Sequence, residues 1–348
     1  MTQIVRPGAL QRFVAEIFTR AGLPPDDAEW CAETLVRAEL RGVTSHGVIR
    51  LVNYVGRLEN EVVNPKPRVR VVKDAGALAL LDGDNGMGQV VARRAMEECL
   101  ARAEAHNVGV VLLKESNHFG AAAPYASMAL ERNMAGLVTT NTVRVISPHG
   151  GRQRLLGNNP IAIAVPGDPP MLLDMALSAV ARGYLIEAAR AGREIPEGWG
   201  VDAEGRPSTD PDAILESGSL SPIAAHKGSG LSAAIDAVLG ALAGGGHSHE
   251  IVGLMDMSGP SRVTHFFAAL RIDALIPLPA FRAAVNALAG LLRDSPKAAG
   301  TDRIWMPGEI EMEEEERRRA EGIPLSHERM SELADLSDRY DVPPLETD

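Results

Sequence analysis

From about residue 74 onward the chain alternates short aliphatic or β-branched runs with longer amphipathic ones. No other feature of the sequence restricts its fold as strongly. "ALALLDG" reads as a strand, "GMGQVVARRAMEECLARAEAH" as a helix, "VGVVLLK" as a strand, "AAAPYASMALERN" as a helix and "MAGLVTTNT" as a strand. "RLLGNNPIAIAVP" and "PMLLDMALS" follow as strand-like runs. Such alternation predicts an α/β domain with crossover connections. Beyond it, "REIPEGWGVDAEGRPSTDP" is a long loop rich in Gly, Pro and Asp, "HKGSGLSAAIDAVLGALAGGG" a small-residue helix, and "THFFAALRIDAL" a return to sheet-like character. The closing residues predict a helix polar on one side and a loose tail. No internal repeat is visible at solenoid or propeller periods.

The segment before residue 74 has a different texture. Residues 8–21 and 25–41 read as helices, the second opening on prolines and acids and stopping at Gly42, as helix ends do. Residues 45–60 carry Val48, Leu51, Val52, Val55 and Leu58 at helical spacing, which predicts a third helix. "VVNPKPRVRVV" then reads as an extended connector.

At 348 residues the chain can bury more than one core without disulfides or a structural metal. Its net charge of −11 and its lack of a basic stripe argue against nucleic acid as a partner. The densest charge run, "EIEMEEEERRRAEG", reads as a solvated helix face. An acidic chain that binds a small anion needs a local positive pocket. Cys31 and Cys99 sit in helix-like apolar patterns with no CxxC, which predicts buried free thiols in a reducing compartment. No signal peptide is recognisable, and no apolar run reaches the roughly 18 residues of a membrane span. A cytoplasmic location is expected.

Four stretches can carry chemistry. In "RGVTSHGVIR", residues 41–50, Ser45 can fix the tautomer of His46, and Arg50, one helical turn on, can grip a carboxylate with two parallel hydrogen bonds. Together they offer a 2-oxo or 2-hydroxy acid a clamp and a proton donor. The competing reading is a capping serine beside two solvated polar residues. In "KESNHFGAAAPYA", His118 follows a buried strand and Gly120 with its alanines admits a flat ligand close to the backbone, the edge of an α/β sheet being where ligands bind. A capping Asn117 with a packed His118 is the alternative there. Lys227, in "HKGSGL" at a helix start, can meet a phosphate. "MPGEIE" is a turn ending in an acid. Two stretches mislead. "GDNGMG" is not the G-x-G-x-x-G dinucleotide fingerprint and reads as a turn. His247 and His249 in "GGGHSHE" lack an obvious third metal ligand and read as a solvated loop.

Taken in order, "RGVTSHGVIRL", "NHFGAAAPYA", "LGNNPIAIAVP", "LDMALSAVARG", "IPEGWGVDAEGRPSTDP", "HKGSGL" and "MPGE" resemble the malate/L-lactate dehydrogenase family over residues 10–325. That family also holds ureidoglycolate, sulfolactate and diketogulonate enzymes and the reductases of pyrroline-2-carboxylate and piperidine-2-carboxylate. The resemblance implies an α/β fold whose NAD(P)-binding domain is not of the Rossmann type and holds a mixed, largely antiparallel sheet. It implies a helical, dimerising domain from residues 1–73 with 301–348, beside an NAD(P)-binding and catalytic domain over 74–300. It also implies NAD or NADP as cofactor, a homodimer, and no metal.

By motif, Ser45 and His46 match the relay serine and proton donor of the imine-reductase branch, and Arg50 the residue that binds the substrate carboxylate. His118 matches the acid–base histidine of the ureidoglycolate branch, and with Phe119, Gly120, Ala121 and Ala122 a nicotinamide-contacting segment. Asn158 falls at a substrate contact. Leu172, Leu173 and Asp174 fall on a cofactor segment, as do His226, Lys227, Pro307, Gly308 and Glu309. The chain departs from the pattern at Leu177 and Asn158, where threonine is usual, before His226, where two alanines replace glycines, and at Tyr184, where the imine reductases carry the aspartate of their relay. The expectation is an oxidoreductase for a small 2-oxo/2-hydroxy acid pair of malate or lactate type, with a cyclic imine acid as the alternative substrate. Two remoter classes are a metal-dependent hydrolase built on His46, His118, His247 and His249, and a non-catalytic nucleotide-binding relative.

Overall fold

The computed structural model describes residues 2–347. Strand β1 (Thr2–Val5) leads into helices α1 (Pro7–Arg20) and α2 (Pro25–Leu40), two 3₁₀ turns (Thr44–His46 and Val48–Arg50) and α3 (Leu51–Glu59). β2 (Arg70–Ala75), β3 (Leu78–Asp82), α4 (Gly88–His106), β4 (Val108–Ser116), α5 (Ala123–Glu131) and β5 (Met134–Thr140) follow. Then come β6 (Arg144–Ile146), β7 (Leu156–Gly157), β8 (Ile161–Val165), β9 (Met171–Met175), α6 (Arg182–Arg190), β10 (Gly200–Val201), α7 (Pro211–Glu216) and β11 (Ser219–Leu220). The chain closes with α8 (His226–Asp236), a π-helical extension (Ala237–Leu242), β12 (Val263–Arg271), α9 (Leu278–Arg293), α10 (Glu309–Glu321), β13 (Ile323–Ser326) and α11 (His327–Tyr340).

The alternation after residue 74 builds a seven-stranded sheet in the order β2-β3-β4-β12-β5-β8-β9. β3 and β4, joined by α4, are parallel, and the other five neighbouring pairs are antiparallel. The crossover read from the sequence is therefore present, but β12 slots between β4 and β5 and runs against both. A strand arriving from far along the chain cannot be anticipated from local pattern. β4 buries both faces, which explains its unbroken apolar run. Val111 and Leu113 pack under α4 and α5, while Leu112 faces Ile235 and Leu239 of α8 and its extension. "RVRVV", read as a connector, contributes β2, an exposed edge strand. A second, four-stranded sheet of short strands has the order β10-β11-β6-β7.

A separate core lies under the helical start of the chain. Leu10, Phe13, Val14, Ile17 and Phe18 form one stripe of α1, at the spacing that faces a neighbour. They bury against α2 and α3 together with Ile323, Leu325, Leu333 and Leu336 from near the other end of the chain. β1 pairs antiparallel with β13, which ties the two chain ends together. α9 has no counterpart in the sequence reading. Its apolar residues leave only Ala289 buried in the single chain.

Candidate active site

The sheet gathers the site along one edge. Ser116 at the end of β4 stands opposite Val263, His265 opposite Thr140 at the end of β5, Thr139 opposite Ile161 at the start of β8, and Ile161 opposite Met175 at the end of β9. His118, Asn158 and Leu177 therefore leave the sheet at the same edge. The helical core packs against that edge. Arg57 of α3, fully buried, donates to Asn117 Oδ1 at 3.3 Å and to the Gly259 carbonyl at 2.8 Å.

The expected helix over residues 45–60 is corrected. Ser45 and His46 lie in one 3₁₀ turn, Arg50 ends the next, and the α-helix begins only at Leu51. The break is Gly47, whose extended ψ of −150° interrupts the helical path. Its missing side chain matters, because a methyl group there would run into the Glu39 carboxylate. Glu39, buried at the end of α2, accepts the Val48 N–H at 2.9 Å and so fixes the turn between the histidine and the arginine.

The resulting geometry still brings the expected residues together. Ser45 Oγ is 2.9 Å from His46 Nδ1, and Arg50 Nε donates to the Ser45 carbonyl at 2.7 Å. The His46 and His118 rings stack with centroids 5.8 Å apart and planes 16° from parallel. Tyr54, which the sequence reading did not single out, places its hydroxyl 2.7 Å from His118 Nδ1. Arg50, Tyr54 and Arg57 are spaced four and three residues apart, so they share one face, and that spacing was available in the sequence. Beneath His118, Phe119 is sandwiched between His265 (4.3 Å) and Tyr125 (4.7 Å). His265 is fully buried and satisfied by Ser116 Oγ at 2.8 Å and Thr140 Oγ1 at 2.7 Å, and it holds the floor of the site.

Electrostatics keep the resting imidazoles neutral. Crowding by protein, with Arg50 adding repulsion, pulls His46 down to about 4. The same crowding, then His46 and Arg50, holds His118 well below the usual histidine range. Both residues are half-buried rather than sealed in the core. A carboxylate placed on Arg50 would remove part of this repulsion and so raise the affinity of the pair for a proton. The Tyr54 hydroxyl can donate to His118 Nδ1 or accept from it, which leaves Nε2 able to give or take a proton.

The segments expected at a cofactor are joined to one another. Asp174 Oδ2, on β9, accepts the N–H groups of Ala122 (3.1 Å) and Ala123 (2.8 Å) at the start of α5. The Leu172 N–H donates to the Pro307 carbonyl at 3.0 Å. Gly308, at φ +90°, packs so closely there that a Cβ would lie 2.8 Å from the Leu172 oxygen. Leu173 pairs with Ile163 in the β8–β9 ladder. The Glu309 carboxylate is already committed to the Met306 N–H, Arg293 and Arg303. Gly120 and Ala121 lie in the short link between His118 and α5.

His226 and Lys227 are exposed at the start of α8, tethered through the Ile223 N–H to the Leu177 carbonyl at 2.8 Å. Asn158 Oδ1 accepts from Thr142 Oγ1 at 2.8 Å. Among the described residues, no hydrogen bond or ring contact joins Asn158, His226 or Lys227 to the two imidazoles. Tyr184 is 60% exposed, its ring 6.3 Å from Trp199. His247 Nδ1 lies 2.8 Å from Glu250 in a capping turn. Among the described residues no group of three or more His, Cys, Asp or Glu is placed to hold a metal ion.

Residues 5–334 match the family described as malate/L-lactate dehydrogenase. The chain belongs to that family. It is 38% identical over 338 residues to malate dehydrogenase of Pyrococcus horikoshii, covering 95% of this chain and 93% of that protein. It is 35% identical to the Δ1-pyrroline-2-carboxylate/Δ1-piperideine-2-carboxylate reductase of Pseudomonas putida, over 94% of this chain and 95% of the relative. Its structure superposes on sulfolactate dehydrogenase from Methanocaldococcus jannaschii with a TM-score of 0.92 at 35% identity, covering 97% and 98% of the two chains. The membership makes this chain an oxidoreductase.

Proposed function

We propose that this member of the malate/L-lactate dehydrogenase family exchanges hydride between a nicotinamide cofactor, NAD or NADP, and C2 of a small 2-oxo/2-hydroxy acid. The observation that carries the reading is the convergence of a guanidinium, Arg50, and two stacked imidazoles, His46 and His118, beside the edge of the sheet. Arg50 keeps its terminal nitrogens for the substrate carboxylate, since among the described residues only its Nε is bonded. That clamp sets C2 and its oxygen against the imidazole pair, and one of the two rings delivers or removes the proton. Such a group contributes about 10²- to 10⁴-fold in rate. Ser45 and Tyr54 orient the rings through Nδ1. Asn158 is assigned to the substrate.

The residues fit a nicotinamide dinucleotide. Gly120 and Ala121 leave the approach to His118 free of bulky side chains, and the 118–122, 172–174 and 307–309 segments are bonded into one continuous wall. Lys227 and His226, exposed at the first turn of α8, supply cationic and donor groups suited to phosphate. When bound, the nicotinamide ring supplies or accepts the hydride.

The alternative of a cyclic imine acid is weakened by Tyr184, which stands in place of a relay aspartate and turns its ring toward Trp199. Consumption of NADH or NADPH with oxaloacetate, pyruvate and pyrroline-2-carboxylate in parallel separates the readings. Turnover of the imine alone would refute the hydroxy-acid assignment.

We further propose that residues 1–73 with 301–348 form a helical unit beside a catalytic unit over 74–300, supported by the shared core of the two chain ends. Uncovered apolar faces support a homodimer: Leu288, Leu291 and Leu292 on α9, and Leu231, Val238 and Leu242 along α8 and its extension. No helix among the described residues is long and apolar enough to cross a membrane. The two buried free thiols suit a reducing compartment, which we take to be the cytoplasm.

A further inference from the structure

We infer that Arg182, whose neighbour Gly183 packs on Ser45, is a specificity-determining residue that receives a second anionic group of the substrate. The chain would then select acids bearing a distal carboxylate or sulfonate over pyruvate and lactate. The inference rests on the dehydrogenase reading above and deepens it.

Ser45 is the meeting point. Its hydroxyl faces His46 and its carbonyl accepts from Arg50. The start of α6 packs on the same residue. A Cβ on Gly183 would lie 3.5 Å from the Ser45 Cβ, an ordinary contact, so the backbone carrying Arg182 runs against the same serine. Arg182 also shares a small depression with Arg154, walled by Val145, Leu185 and Ile214. Arg154 spends its guanidinium on the carbonyls of Ile214 (2.7 Å), Leu215 (2.9 Å) and Gly218.

None of these three arginines is ion-paired among the described residues. Arg317, Arg318 and Arg319, by contrast, are each paired to Glu314 or Glu315. Half-buried guanidiniums without a carboxylate are costly unless an anion joins them. The electrostatics agree. Arg50 is held below the usual arginine range first by burial, with Arg182 adding repulsion and Tyr54 opposing it. A monocarboxylate would satisfy Arg50 and leave Arg182 uncompensated. A substrate with two anionic ends answers both.

The test is kcat/KM for oxaloacetate, 3-sulfopyruvate and pyruvate, with NADH and with NADPH, in the wild type, Arg182→Met and Arg182→Lys. The wild type is expected to favour the two dianions, and the response to each shows which distal group is preferred. Arg182→Met should lower kcat/KM for the preferred dianion by about 10- to 100-fold, the scale of a lost charge-assisted contact. That loss should exceed the loss on pyruvate by at least about tenfold, with partial recovery in Arg182→Lys. Equal losses on all three acids would overturn the inference, as would a loss confined to the KM for NADPH. If Arg182→Met fails to fold, an unchanged dianion-to-pyruvate ratio in Arg182→Lys overturns it instead. A wild type that reduces none of the acids would overturn the dehydrogenase reading itself.

Discussion

Replacing Glu39 by glutamine tests how the turn between His46 and Arg50 is held. Glu39 is 3% exposed, and its carboxylate accepts the Val48 N–H at 2.9 Å. Burial pushes its carboxyl up to about 7, with the Val48 hydrogen bond, Arg318 and Arg329 pulling the other way. The folded chain therefore holds this proton more tightly than the unfolded one, whose glutamate ionises near 4.5. The stabilisation is complete below that value and is lost as pH rises through about 7. Integrated between pH 5 and 8, the shift amounts to about 2–3 kcal/mol. Glutamine never ionises, yet its side-chain carbonyl can still accept from Val48. Glu39→Gln should thus melt progressively above the wild type as pH rises from 5 to 8. With an unfolding entropy of about 0.7 kcal/mol/K for a chain of this length, the gap should widen by about 3–4 °C. Thermal melts of both proteins at half-unit pH steps measure it. Curves that stay parallel, or a variant that falls below the wild type at pH 8, would show that the folded protein accommodates the carboxylate charge and would refute the reasoning.

Arg50→Ala should raise KM for the acid and lower kcat/KM by about 10²-fold or more while cofactor affinity is retained, as steady-state kinetics with dinucleotide titration would show. His46→Ala and His118→Ala, compared side by side, should show which ring carries the proton, with a loss of about 10²- to 10⁴-fold in kcat for that one; near-native turnover in both would eliminate both. Tyr54→Phe should lower kcat by about tenfold and alter the pH profile, because His118 Nδ1 loses its 2.7 Å partner. Gly308→Ala forces a side chain into a position with φ +90° and 2.8 Å from the Leu172 oxygen, so it should raise KM for the nucleotide and leave that for the acid nearly unchanged.

Local pattern carried much of this molecule. α1 and α2 begin and end within a residue or two of where prolines, acids and glycine place them. The strands β4, β5, β8 and β9 follow from their aliphatic runs. Pattern failed where contacts from distant segments decide. The apolar spacing of residues 45–60 is helical, yet the Glu39 carboxylate pressing on Gly47 divides it into two tight turns. β12 enters the middle of the sheet from more than a hundred residues away, and no local signal reports that. At the site, Ser45, His46, Arg50 and His118 were legible as chemistry-bearing residues. Tyr54 was hidden inside an apolar helix stripe, and His265 inside a strand, because only the fold supplies the neighbours they bond.

The arrangement of the strands has a consequence for how such a chain can diversify. At one margin of the sheet the turns are tight, with Asn107 and Asn133 in left-handed conformation between helix and strand. The loops that carry His118, Asn158 and Leu177 leave from the other. Insertions and replacements there can retarget the chemistry while the interior ladder keeps its alignment. A lineage can thus change its diet without relearning how to fold.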